Sequence, residues 1–216
     1  MPGRFGYASP ASVLLSFSLL PPSPAMFPKC LLVNGSARPT EGNSAALLSQ
    51  FERFADGFEC RTLDLLHADS LGKAMSELDW ADAFVFATGT YWDSWGWPLQ
   101  RFLEYATATE GTSTWLGKPA AVLVSMHSVG GKSVLSRLQG VLNTLGVVIP
   151  PMSGCVLSAV GQAALKSSSP QILGDIWCIE DLRVVAANLR CVCEGRRDFK
   201  AWNVDRADFT QRWVDL

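Results

Sequence analysis

Histidine is scarce in this chain: His67 and His127 are the only two in 216 residues. Six cysteines are present (Cys30, Cys60, Cys155, Cys178, Cys191 and Cys193), but none makes a CxxC pair and neither His lies near a Cys pair. That spacing argues against a zinc or iron–sulfur site, so no metal ligand is assigned. Reduced, mostly buried thiols suit a cytoplasmic protein, and that location is the expectation. Neither sign of charge is in excess. The formal net charge is −2, which implies no broad attraction to nucleic acid or to an anionic membrane. A long hydrophobic run is also missing. Residues 13–20 are apolar but broken by serines, end at Pro21-Pro22 and are far too short to span a bilayer.

What is present fits one core. An apolar fraction of 48% over 216 residues suits a globular chain with one good core and little room for two. Eight tryptophans are many for this length, and several fall in one stretch, as an aromatic wall or an interface requires. Residues 1–27 are rich in Pro, Ser and Ala and read as a disordered extension, or as the product of a start placed upstream of Met26. A secretory signal led by Arg4 is the competing reading, weakened by the lack of a small-x-small cleavage site.

From there the patterning alternates. Short apolar runs at 30–33, 58–65, 83–87 and 119–125 read as strands. Helices are expected at 45–54, 75–81, 98–106 and 133–145, the last closed by Gly146, and a final helix at 175–193. A fifth strand opens at 147–149 and resumes at 155–157, beyond Pro150-Pro151. Alternating strands and helices give one open parallel sheet with helices on both faces. Ligands bind such sheets beyond the carboxyl ends of the strands. No repeat and no interdomain linker is visible, so residues 28–216 form one expected unit, with the last helix and a polar, aromatic tail included.

Three loops follow strands one, three and four, and each is unusual. The first, 34–44, carries Ser36, Arg38, Thr40, Asn43 and Ser44 ahead of a helix start. Unpaired helix N–H groups, hydroxyls and a guanidinium make an anion socket. A dinucleotide fingerprint fails because Ala37 and Thr40 stand where glycines are needed, and a triphosphate loop fails for want of Gly-Lys-Ser/Thr. A phosphate monoester remains, set against an ordinary polar loop. The second loop, 88–98, reads TGTYWDSWGWP. Its aromatics beside close-approaching backbone suit a planar ring, while Trp95 and Trp97 suit core or a subunit interface equally well. The third, 125–132, reads SMHSVGGK. A triphosphate reading would need glycine at Met126. Gly130 and Gly131 instead let backbone N–H groups approach a flat ligand edge, and His127 either stacks on that ligand or is structural.

Together these residues resemble the NAD(P)H-dependent FMN reductase family of flavodoxin-like flavoproteins. Gly35-Ser36-x-Arg38 with Gly42-Asn43-Ser44 is similar to the family's phosphate loop. Ala87-Thr88-Gly89-Thr90-Tyr91-Trp92 is similar to its isoalloxazine loop, with Gly89 in place of the usual proline and Asp93 where glycine is common. His127 to Gly131 is similar to its third loop. The resemblance covers residues 29–154, and the tail beyond Ser158 matches nothing recognisable.

The resemblance implies an α/β flavodoxin-like three-layer sandwich, with a five-stranded parallel sheet of order 2-1-3-4-5, binding FMN non-covalently. Ser36, Arg38, Gly42, Asn43 and Ser44 would hold the phosphate. Thr90, Tyr91, Trp92, Asp93 and Ser94 would flank the ring, and His127, Ser128, Val129, Gly130 and Gly131 would meet its pyrimidine edge. NADPH or NADH would reduce the flavin, which would pass electrons to a free flavin, a quinone, or a nitro or azo compound. The flavin carries that chemistry, so no side chain is assigned as catalytic. Relatives are commonly dimers or tetramers, which makes Trp95 and Trp97 candidates for a homodimer or homotetramer contact. A flavodoxin-type electron carrier and a non-catalytic FMN-binding protein are the alternatives. Carriers are usually strongly acidic, which this chain is not.

Overall fold

The structure, a computed structural model, describes residues 27–38, 40–68, 71–166 and 176–202. All but the last residue of the expected extension at 1–27, and the last part of the tail, lie outside these residues. Five strands, β1 (Lys29–Asn34), β2 (Glu59–Asp64), β3 (Ala83–Gly89), β4 (Ala120–Met126) and β5 (Gly154–Ser158), form one parallel sheet in the order β2-β1-β3-β4-β5. This is the flavodoxin-like arrangement expected from the sequence. The helices are α1 (Asn43–Glu52), α2 (Leu71–Trp80), α3 (Trp97–Ala106), α4 (Gly131–Leu145), α5 (Ala159–Lys166) and α6 (Leu182–Cys193).

Side chains alternate across a strand, and the two cores follow from that. Leu31, Val33, Phe84, Phe86, Val122 and Val124 face α2, α3 and α4. Cys30, Leu32, Val85, Ala87, Ala121 and Leu123 face α1 and α6. Being buried on both sides, β1, β3 and β4 read as continuous apolar runs with no polar alternation. The first core centres on Trp115, which is fully buried. Its ring lies 5.3 Å from Phe84 and 6.2 Å from Phe102. Its Nε1 donates to Thr109 Oγ1 at 2.8 Å, so burial leaves no polar atom unpaired there.

Three sequence expectations need correction. The last helix begins at Leu182, not at 175. Cys178 is extended, and its N–H donates to the Asp181 carboxylate at 2.8 Å, which fixes a 3-10 turn at Ile179–Asp181 and starts the helix after it. The fifth strand does not open at 147–149. Val148 makes only an isolated bridge to Pro119, because Pro150-Pro151 offer no N–H donors and turn the chain away. Helix α5, directly after β5, was not expected at all. A smaller shift matters for the site: α1 begins at Asn43, which puts Asn43 and Ser44 in its first turn.

Asp64 ends β2 with its Oδ1 buried and without a hydrogen-bond partner. Burial raises its pKa, and nearby His67 only partly opposes this. The folded chain therefore holds this proton more tightly than the unfolded chain does. Stability from Asp64 is present below the ordinary carboxylate range and is lost as pH rises through the raised value. Asp64→Asn is expected to raise Tm at pH 7 and to leave it unchanged near pH 3. Thermal melts at the two pH values check this.

Candidate functional site

At the carboxyl edge of the sheet, the loops after β1, β3 and β4 converge on a cavity of about 520 Å³. It is lined by residues of all three loops and, across the opening, by Ala159 at the start of α5. Its position follows from the topology. Chain crossings to opposite sides of the sheet occur at β1 and β3, and the space between the two diverging loops stays open.

The first loop is shaped by its own side chains. Asn34, 1% exposed, accepts from the Ser36 N–H through its Oδ1 at 3.1 Å. Ser36 Oγ accepts from the Arg38 N–H at 3.1 Å. These local turns curl the loop towards the start of α1. The N-cap of α1 is Gly42, and no side chain caps the helix. Its leading N–H groups, with the positive end of the dipole behind them, face the cavity. Gly42 is required here, since a Cβ would collide with the Arg38 carbonyl and crowd the Arg38 Cβ. Ser44 is buried, while Arg38 and Asn43 are exposed at the mouth.

The second loop turns back as a tight hairpin. Tyr91 and Ser94 exchange both backbone hydrogen bonds, at 2.8 and 2.9 Å. The two residues between them, Trp92 and Asp93, have φ of 50° and 58°, as in a type I′ turn. Neither is glycine or asparagine, and each left-handed residue costs about 1–2 kcal/mol. Contacts from α4 offset this cost. Arg137 donates to the Asp93 carbonyl and lies over the Trp95 ring, and the Asp93 carboxylate rests against Gly130. Gly130 has φ 88° and caps α4. The Thr90 N–H donates to Ser125 O at 2.8 Å, while Thr90 Oγ1 is buried without a partner.

Of the residues singled out from the sequence, Ser36, Arg38, Gly42, Asn43, Ser44, Thr90, Tyr91 and His127 line the cavity. Trp92, Asp93, Ser94, Ser128, Val129, Gly130 and Gly131 lie beside it, outside the lining. Trp92 is fully exposed and Val129 is 75% exposed. Trp95 packs on the core, whereas Trp97 is half exposed with Arg101 over its ring. Sequence reasoning missed Glu41, Gly89, Ser125, Met126 and Ala159 as lining residues. Ser125 and Met126 close β4, and the rule that ligands sit beyond strand carboxyl ends would have found them. Ala159 had no signal, because α5 was not expected.

An uncapped helix start, a glycine cradle and an orphaned buried hydroxyl are what a phosphate monoester with a polar chain needs. FMN is such a ligand, and the residues present fit it. Among the described residues Glu41 is the one lining carboxylate, and it is exposed to solvent, where water screens it. Among the described residues, no group of three His, Cys, Asp or Glu is placed to hold a metal ion. Nor is any helix among them long and apolar enough to cross a membrane.

A sequence profile described as NADPH-dependent FMN reductase matches residues 28–161. None of the curated proteins matches the chain significantly. Solved structures show the same fold at low identity. An oxidoreductase from Corynebacterium diphtheriae is 14% identical with a TM-score of 0.63, covering 80% of this chain and all of its own. The NAD(P)H:(acceptor) oxidoreductase FerB from Paracoccus denitrificans is 20% identical with a TM-score of 0.55, covering 77% of this chain and 96% of its own. The NADH:FMN oxidoreductase EMOB is 16% identical with a TM-score of 0.58, covering 76% of this chain and 88% of its own.

Arg38→Ala is expected to weaken FMN binding by about 1.5–3 kcal/mol, as for a charge-assisted hydrogen bond, and to leave riboflavin binding unchanged. Fluorescence titration with both flavins checks this. Equal losses for the two would mean that Arg38 does not meet the phosphate.

Proposed function

This chain belongs to the NADPH-dependent FMN reductase family, and we propose that it passes electrons from NAD(P)H through FMN to a small acceptor: a flavin, a quinone, or a nitro or azo compound. The family makes it a flavoprotein that uses FMN with NAD(P)H as reductant. The acceptor class and the residues that serve the reaction are our reading.

The observation that carries it is the meeting of three βα loops at one cavity behind an uncapped helix start. In this reading the leading N–H groups of α1, the hydroxyls of Ser36 and Ser44, the Asn43 amide and the Arg38 guanidinium hold the phosphate. Gly42 keeps the approach open. Thr90 turns its unpartnered hydroxyl to the cofactor, and Tyr91 to Ser94 flank the ring. The His127 to Gly131 segment supplies backbone N–H groups to the pyrimidine edge, where they favour negative charge. Bound FMN supplies the hydride and electron chemistry, so the chain needs no side chain acting as acid or base.

The hairpin has a positioning role. Arg137 and Gly130 hold the Trp92–Asp93 turn in a backbone shape that it would not keep alone, and Tyr91 and Trp92 are thereby presented at a fixed height above the sheet edge. Exposed Tyr91, Trp92 and Trp97 suit a contact with a second copy in a homodimer or homotetramer. The cytoplasm, where NAD(P)H and reduced thiols coexist, is the proposed location.

Purified protein loaded with FMN and mixed anaerobically with NADPH is expected to lose its flavin absorbance promptly, and to regain it when a quinone is added. An unchanged spectrum would favour an electron carrier with no nicotinamide site. A preparation that ignores added FMN would favour a chain that has lost the cofactor.

A further inference from the structure

At the opposite end of the sheet from the cavity, a second cluster of reactive groups lies outside the function proposed above. Cys30 and Cys60 are direct partners in the parallel register of β1 and β2. Neighbouring strands lie about 4.7–4.9 Å apart, inside the Cα separation of about 4.4–6.8 Å that a disulfide spans. Directly paired residues project to the same face, so the two thiols sit side by side across the β1–β2 pair, and an interaction of hydrogen-bond type between them shifts the ionisation of both. Cys30 is fully buried, whereas Cys60 is half-buried on the edge strand of the sheet, where solvent reaches it.

We propose that Cys30 and Cys60 form an oxidisable pair, in which a peroxide converts the two thiols to a disulfide that ties edge strand β2 to β1.

The two sulfurs have unequal roles. The hydrogen bond from Cys30 favours the Cys60 thiolate and holds its pKa below the usual thiol value, against burial and the nearby Glu52 carboxylate. The same bond, with burial and the neighbouring Cys60 and Cys193, pushes Cys30 up. The other four thiols are all pushed up: Cys155 and Cys178 chiefly by burial, Cys191 by burial and Asp198, and Cys193, to about 12, by burial and Asp82. The thiolate is the nucleophile, so Cys60 reacts first and the adjacent Cys30 resolves. Cys60 sulfur attacks one peroxide oxygen; the O–O bond breaks, a sulfenic acid forms and hydroxide leaves, taking up a proton to become water. Cys30 sulfur then attacks the Cys60 sulfur; the S–S bond forms, the S–O bond breaks and the second hydroxide departs as water with the Cys30 proton. Two thiols and one hydrogen peroxide give one disulfide and two waters.

Cys193 packs on the same face and is the rival partner, which the test must separate. Reduced full-length protein is treated with hydrogen peroxide, cleared of peroxide, alkylated in denaturant so that every free thiol reacts, digested without reduction and mapped by mass spectrometry. The expected result is the loss of two of the six alkylatable thiols and a peptide joining Cys30 to Cys60, lighter by two hydrogens and split by a thiol reductant. Cys193→Ser should give the same link, and Cys60→Ser should leave Cys30 alkylatable at the same dose. A wild-type chain in which both thiols stay alkylatable, in which Cys60 stops at a sulfinic acid, or in which Cys30 links to Cys193 overturns the proposal. The wild-type map decides even if Cys60→Ser fails to fold. Neither FMN nor nicotinamide takes part, so this result and that of the flavin reduction assay stand or fall separately.

Discussion

The site depends on how closely the first loop approaches the third strand. The Gly35 N–H donates to Ala87 O at 2.8 Å, which joins the chain leaving β1 to the neighbouring strand just as both reach the sheet edge. A Cβ on Gly35 would sit 2.8 Å from the Leu99 Cβ, and one on Gly96 would collide with the Gly35 carbonyl. Two loops from different parts of the sequence therefore meet backbone to backbone, with Leu99 of α3 wedged beneath. Side chains at either position would drive the loops apart, because a packed interior has no slack to absorb them. The Gly96 N–H, held by Thr88 Oγ1 at 3.0 Å, fixes the second loop in the same arrangement.

From that seam the two halves of the cavity acquire different characters. The β1–α1 side is assembled from local hydrogen bonds and a bare helix start, so its chemistry is that of backbone N–H groups and short hydroxyls. The β3–α3 side is held by long-range contacts, with Arg137 and Gly130 reaching in from α4 to keep a left-handed turn in place. Strained backbone persists only where the surroundings over-determine it. The hairpin is thus an element whose shape belongs to the neighbouring loop as much as to its own residues. In the function proposed above, the first side would anchor the phosphate and the second would hold a ring-side surface still.

The far end of the molecule obeys the same physics with a different outcome. The tail after α6 has no apolar periodicity, yet it is fastened by buried Asn188, which donates to Pro151 O and Lys200 O and accepts from the Lys200 N–H at 2.7–2.9 Å. A buried amide with its donors and acceptor satisfied costs little and specifies one docking position. The β1–β2 thiols lie at the amino end of the sheet, opposite the loops that build the cavity.

Much of this was legible in the chain itself. Apolar runs of strand length located β1, β3 and β4, which are buried on both faces and so carry no polar alternation, while the five-stranded order came with the family resemblance. Ser36, Arg38, Asn43 and Ser44, grouped around an expected helix start, do line one cavity, because such a socket is built from residues near one another in sequence. Tertiary structure alone decided the rest. It set the start of α6 after the Cys178–Asp181 turn, the existence of α5, the placement of Ala159 on the cavity wall, and the meeting of Asp93 with Arg137 and of Cys30 with Cys60. The physical reason is separation: local hydrogen bonds and periodicity act over a few residues and leave a trace in sequence, whereas packing joins residues tens of positions apart and leaves none.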